Sequence, residues 1–464
     1  MDSAQTPPSD SPGLRRFPDG FTWGLGTSAY QIEGSLEADG RGPSIWEQFK
    51  RNDGAVYDGN RFDPACDSYR RWDDDVRLLV GAGVGAYRFS FAWPRMLPEG
   101  VGQVNEAGVA FYDRAIDTLL EAGIEPVPTL YHWDLPLALH ERGGWESREI
   151  VDWFAEYAAL AADRFGDRLG RVWVLNEPNY HAWLGYRLGT NAPGHMSHDA
   201  FMRCMHHQNL VTASAAAVLR ASRPALRVGT VITLQHCRPV TDDPADIEAG
   251  RLMDLYINRG FLDPVLLGRC PTEVQADLER IGAWRDGDDT AAHADLDFLG
   301  VNFYGPFFAK ANHEIGFELA RPTGGVAVTP IGLPDEPEDL YDVLAELRDE
   351  YGNPEVMISE IGTAEWVGAK PGGQSHDDRV QLDDQYRIDF YRRHFAEVHR
   401  AIGDGCNCTG VFAWSLLDNI EWEYGWAVRF GLVKVDSATG ERTPKASYRW
   451  LAELARSNHL SWVE

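Results

Sequence analysis

The sequence is poor in cysteine, short of basic residues relative to acidic ones, and free of long apolar runs. Six cysteines occur in 464 residues, at 66, 204, 237, 270, 406 and 408. That scatter excludes a disulfide framework. Cys406 and Cys408 form a lone C-x-C with no second pair beside it, which does not match zinc-ligand spacing. Reduced, buried thiols are expected, and they fit a cytoplasmic setting. Lysine and arginine number 43 against 71 aspartates and glutamates, a formal net charge of −28. That balance counts against nucleic acid, which needs a basic patch, and equally against an anionic membrane surface. A solvated acidic surface accounts for it, and salt adaptation would leave the same mark. No run of 18 apolar residues occurs, so no spanning helix is expected. The start, MDSAQTPPSDSPG, has neither the cationic nor the apolar segment of a secretory leader. Residues 1–16 read as a disordered tail.

From residue 17 onward two kinds of segment alternate. Short apolar stretches rich in β-branched and aromatic residues lie at 21–28, 86–91, 125–133, 171–177, 227–234, 296–304, 355–361 and 409–416. Between them, apolar positions recur every three or four residues, as in Ile150, Trp153, Phe154 and Tyr157. That spacing predicts helices at 106–122, 148–166, 198–222, 246–259, 338–351, 378–402 and 444–456, with another near 67–82. Eight strands alternating with helices predict parallel pairing through crossover helices, and eight such units closing on themselves make a (β/α)₈ barrel. An open doubly wound sheet is the alternative, but no G-x-G-x-x-G opens a helix after an early strand. The Gly/Pro-rich patches at 34–64, 184–197, 321–337 and 366–377 fall after strands and read as long βα-loops. No composition shift divides residues 17–464, which are expected to form a single catalytic domain of the TIM-barrel class.

In such a barrel the C-terminal ends of the strands meet at one mouth. Reading those ends gives Gln31, Arg88, His132, Trp133, Asn176, Glu177, Asn302, Tyr304, Glu360 and Trp414. Two of the strands end in a glutamate: VWVLNEP at 172–178 and VMISEIG at 356–362. Polyols need this mixture, with amides and carboxylates for the hydroxyls and aromatic planes for the C–H face. Two carboxylates across one bond are the equipment of glycoside hydrolysis. His206 and His207 are adjacent on a predicted helix, so their side chains diverge and packing is the better reading than metal binding. Trp23, Trp93, Trp145, Trp153 and Trp173 are expected in the core.

The chain resembles the family-one glycoside hydrolases, the β-glucosidase family, from Phe17 to its end. The blocks are FTWGLGTSAYQIEG at 21–34, YRFSFAWPRMLPEG at 87–100, YHWDLP at 131–136, NEP at 176–178, FLGVNFYGP at 298–306, SEIG at 359–362, FAWSLLDNIEWEYGWAVRFGLVKVD at 412–436 and RTPKASYRW at 442–450. The resemblance implies a retaining, exo-acting β-glycosidase that works through a covalent glycosyl-enzyme, with no cofactor and no metal. It implies Glu177 as acid/base, Glu360 as nucleophile, and Arg88 and Tyr304 beside Glu360. Asn176 would reach the sugar 2-hydroxyl, and Gln31, His132, Trp414, Glu421 and Trp422 would form the sugar pocket, with Trp133 and Asn302 near it. The alternatives are a 6-phospho-β-glycosidase, a transglycosylase and an inactive sugar-binding relative. Two departures stand out. Ile361 occupies the place of the usual asparagine after the nucleophile, which suggests a more apolar mouth and an unusual or apolar aglycone. His181 is atypical and is read either as shaping the leaving-group side or as an ordinary polar loop residue.

Overall fold

Eight parallel strands close into a barrel in the computed structural model, which describes residues 14–50, 54, 56–57, 62–367 and 382–461. They are β1 (Thr22–Gly26), β2 (Ala86–Ser90), β3 (Glu125–Tyr131), β4 (Arg171–Asn176), β5 (Arg227–Thr233), β6 (Phe298–Phe303), β7 (Val356–Ile361) and β8 (Cys408–Trp414). Each pairs with the next in sequence, and β8 pairs with β1. The crossover segments carry helices α1 (Ser68–Ala82), α2 (Glu106–Glu121), α3 (Ile150–Phe165), α4 (His198–Ser222), α5 (Pro244–Asp254), α6 (Glu338–Glu350) and α7 (Gln385–Gly403), with α8 (Ala446–Ser457) after β8. The predicted helix start at 378 lies outside the described residues. No helix among the described residues is long and apolar enough to cross a membrane.

Four small sheets outside the barrel among the described residues have no counterpart in the sequence reading. Cys237–Pro239, Phe307–Asn312 and Gly316–Ala320 form a three-stranded sheet over the β5 and β6 loops. Leu14–Arg16 pairs antiparallel with His459–Ser461. Leu14–Arg16, which the sequence reading put in a tail, are therefore strand residues. Backbone pairing holds Leu14–Arg16 in place, assisted by the Arg15 guanidinium donating to Ala396 O at 3.1 Å. Residues 1–13 lie outside the described residues.

The barrel is plugged from below. Ala86, Val127, Trp173, Val231, Phe298, Met357 and Phe412 form one buried cluster within it. Trp173 meets Phe298 and Phe412 edge-on, with ring centroids 5.7 and 5.4 Å away. Gly24 is required by this filling, because a Cβ there would lie 2.3 Å from a carbon of the Phe412 ring.

Strict alternation would not aim both glutamates into the barrel. The β4–β5 register shifts between Trp173 and Asn176, and the β6–β7 register shifts between Ile358 and Glu360. On β4, Val174 and Leu175 both join the outer core, which turns Asn176 inward. On β7, Ser359 and Glu360 both face in. A bulge re-aims a side chain in this way, and bulges concentrate beside active sites.

The same bulge decides the fate of Ile361. It is 0% exposed, belongs to the core cluster outside the barrel, and pairs in register with Phe303 and Ala413. It does not line the cavity described below, so the expected apolar mouth does not arise from this residue. Ile361→Asn puts an amide into an apolar layer and is expected to destabilise the fold by about 3 kcal/mol. A melting curve reads that loss; a changed aglycone preference in the variant would contradict the placement.

Candidate active site

Glu177 follows β4 directly and opens a short helix, Pro178–Ala182. Its φ is +45°, a left-handed conformation that is costly for a residue with a Cβ. Trp133 (φ +77°) and Trp422 (φ +41°) share this property. Such residues persist where the surroundings over-determine them, which is typical of functional sites. The Glu177 amide donates to Val231 O at 2.9 Å, tying it to β5. Its carboxyl accepts from Thr233 Oγ1 at 2.5 Å and from Asn176 Nδ2 at 3.2 Å. Burial, then the nearby charge of Glu360, push the Glu177 carboxyl up to about 7, against the opposing pull of hydrogen bonds from Thr233 and Asn302.

Glu360 stands at the end of β7 in a different setting. The fully buried Arg88 guanidinium forms an ion pair with its Oε1, and Tyr304 donates its hydroxyl to Oε2 at 2.8 Å. Arg88 lies over the Trp173 ring, 5.2 Å from the centroid, and its Nη2 donates to Asn176 Oδ1 at 2.6 Å. Asn302 Nδ2 donates to the same oxygen at 3.1 Å, and Ser359 Oγ donates to Asn302 Oδ1 at 2.7 Å. An unbroken hydrogen-bonded chain therefore runs from Glu360 through Arg88 and Asn176 to Glu177. Both glutamates line one cavity of about 340 Å³.

Aromatic planes and further polar groups complete the inner wall. The His132 ring is nearly parallel to those of Trp414 and Trp422, at 5.8 and 6.0 Å, and Trp133 stacks on Trp422 at 4.9 Å. Burial holds His132 well below the usual histidine range, so it is neutral. Its Nε2 accepts from Asn176 Nδ2 at 3.1 Å, which leaves the proton on Nδ1, an atom with no protein partner. Gln31 donates to Ile420 O at 2.9 Å, Asn419 Oδ1 at 3.1 Å and Glu421 Oε2 at 3.4 Å. Burial and the neighbouring carboxylates hold the Glu421 carboxyl far above its ordinary range. No lysine or arginine occurs among the described residues lining the cavity, and none of the described His, Cys, Asp and Glu residues form a metal-sized group.

All twelve residues singled out at the strand ends and in the 412–436 block line this cavity or hydrogen-bond to residues that do. Thr233 was missed, although it ends β5 and donates to Glu177; reading the fifth strand's terminus like the others would have found it. Loop residues such as Tyr180, Leu184, Gln235, Phe307, Leu333 and Trp366 also line the cavity, and no periodicity marks them. His181 is corrected: it is buried, with Nε2 3.1 Å from the Tyr131 hydroxyl and Nδ1 2.9 Å from Gln208 Nε2, and it does not line the cavity. His206 and His207 diverge, to Asp288 at 2.7 Å and to Trp145 O at 2.8 Å.

Comparison with known proteins agrees with this geometry. The sequence model described as "Glycosyl hydrolase family 1" matches residues 14–460. Beta-glucosidase A of Thermotoga maritima is 39% identical over 449 residues, covering 96% of this chain and 99% of that one. The beta-glucosidase of an Agrobacterium species is 39% identical over 453 residues, covering 96% and 97%. The structure of the family 1 β-glucosidase of T. maritima in complex with isofagomine lactam superposes with a TM-score of 0.87 over 96% of this chain and 99% of that one. The match thus runs along almost the whole chain, and the protein belongs to glycosyl hydrolase family 1, whose members cleave O-glycosides with retention of configuration.

Proposed function

We propose that the chain is an exo-acting β-glycosidase of the β-glucosidase type, with Glu360 as nucleophile and Glu177 as acid/base. The observation that carries this is the asymmetry of the two acids. Arg88 and Tyr304 complement a negative charge on Glu360, while burial beside that charge keeps a proton on Glu177 near neutral pH. Glu360 attacks the anomeric carbon as Glu177 passes its proton to the departing oxygen. Once Glu360 is an ester its charge is gone, and with it the second cause of the raised Glu177 value. Glu177 then takes a proton from the incoming water. A retaining site of this kind places its carboxyls about 5–5.5 Å apart.

Gln31, His132, Trp133, Trp414, Glu421 and Trp422 bind the terminal sugar, and Asn176 and Asn302 face its 2-hydroxyl. The absence of a cationic side chain from the described lining speaks against a 6-phospho substrate, since a phosphate would meet only carboxyls and neutral groups. Six unpaired thiols support a cytoplasmic role in carbohydrate metabolism; enzyme recovered outside the soluble extract of its source cells would refute that location.

The test is proton NMR of an alkyl β-glucoside digest. The first sugar to appear should be the β-anomer, and a first-formed α-anomer would refute the double displacement. The same substrate should show kcat/KM falling about tenfold per pH unit above about 7, because the proton donor is lost as pH rises through the Glu177 value.

A further inference from the structure

Glu177 is held from β5 as well as from its own strand. Thr233 ends β5, is buried, and donates its hydroxyl to Glu177 Oε1. Both backbone groups of Thr233 are bound in turn by one side chain from the short helix that Glu177 opens. The fully buried Asn179 amide donates to Thr233 O at 2.6 Å and accepts from Thr233 N at 3.3 Å. It also donates to Ile257 O at 3.0 Å. With the Glu177 amide bonded to Val231 O at 2.9 Å, the end of β5 and the start of the helix are locked together, and the Thr233 hydroxyl is aimed at the carboxyl.

The amide donors beside Glu177 are shared. Asn176 Nδ2 also faces His132 Nε2 at 3.1 Å, and Asn302 Nδ2 donates to Asn176 Oδ1 at 3.1 Å. The Thr233 hydroxyl makes no other hydrogen bond to the described residues. An amide N–H can only donate, whereas a hydroxyl turns about its C–O bond, donating to a carboxylate and accepting from a carboxylic acid. Thr233 can therefore follow Glu177 through both halves of the reaction, and the bond is stronger while Glu177 is ionised. The charged and titratable groups facing Glu177 come from several elements. Glu360 on β7 opposes its ionisation and Arg88 on β2 favours it, beside Glu421 and the neutral phenols of Tyr304 and Tyr180. Thr233→Val alters none of these groups.

We propose that Thr233 is a positioning residue for the reaction: its hydroxyl aims the Glu177 carboxyl and sets how readily that group releases and recovers its proton. This rests on the assignment of Glu177 as acid/base above.

The test follows kcat/KM against pH for wild type, Thr233→Val, Thr233→Ala and Thr233→Ser, on an alkyl β-glucoside and on 2,4-dinitrophenyl β-glucoside. A donor to a carboxylate holds its titration down, so losing the donor raises it. In Thr233→Val and Thr233→Ala the alkaline limb on the alkyl glucoside should move up by about one pH unit from its place near 7. The dinitrophenolate departs with little protonation, so the ratio of alkyl to dinitrophenyl kcat/KM should fall about fivefold or more as the acid weakens and loses its aim. Thr233→Ser keeps the hydroxyl and should restore both the limb and the ratio. A limb that stays in place in both hydroxyl-free variants overturns the inference. So does a Thr233→Ser that behaves like Thr233→Val, since the contact would then be one of packing. If the limb vanishes in Glu177→Ala but is unmoved without the Thr233 hydroxyl, this inference alone falls. A limb that survives Glu177→Ala removes the acid/base assignment, and this inference with it.

Discussion

Glu360→Ala is expected to lower kcat on an aryl β-glucoside on the order of 10⁵-fold, because removing a nucleophile that works as part of a unit abolishes the route and not one contact within it. Azide then provides the decisive reading. In the emptied space it attacks the anomeric carbon once, while Glu177 still donates its proton, and a single displacement inverts the centre. The product should be the α-glycosyl azide, identified by its anomeric coupling constant. Recovery of a β-azide would show that Glu360 is not the residue that attacks.

Glu177→Ala should behave differently. Without the acid, alkyl glucosides should lose on the order of 10³-fold or more in kcat/KM, within the range of general acid catalysis. A 2,4-dinitrophenyl glucoside needs little protonation of its leaving group and should retain most of its first-step rate. Its glycosyl-enzyme then accumulates, because no base activates water. Azide needs no such base and attacks the ester at Glu360, giving the β-glycosyl azide after two inversions. The fall of activity above about pH 7 should vanish with Glu177, since that limb is its titration. Persistence of the limb would assign it to another group, with Glu423, which burial pushes up to about 7, the first to test.

Eight strands and their crossover helices were legible because each strand carries its own apolar run and each helix its own period; the barrel needed nothing beyond their count and order. The reactive acids were legible because a carboxylate at the end of a buried strand has no other good reason to be there. What stayed hidden depended on register. Ile361 follows Glu360 by one position, and placing it at the mouth ignores the bulge that turns Ser359 and Glu360 inward together and sends Ile361 to the helix side. A bulge leaves no trace in hydropathy, since the residues around it are buried on either face. His181 deceived for a related reason: its neighbour in sequence, Tyr180, lines the cavity, but one step along a helix turns a side chain by about 100°, and His181 points to Tyr131 and Gln208 instead. The outer wall, from Leu184 to Trp366, is assembled from separate loops, and only their placement on the barrel brings them together.

Because Trp173, Phe298 and Phe412 stop the barrel from beneath, traffic runs through the mouth at the C-terminal ends of the strands. The alcohol must drift out along the passage by which the next molecule arrives, while the sugar stays bonded at the far end. Whatever crowds that passage therefore competes with water for the waiting ester. At high concentrations of a suitable alcohol, the share of product that is a new glycoside should rise, with no change in any residue.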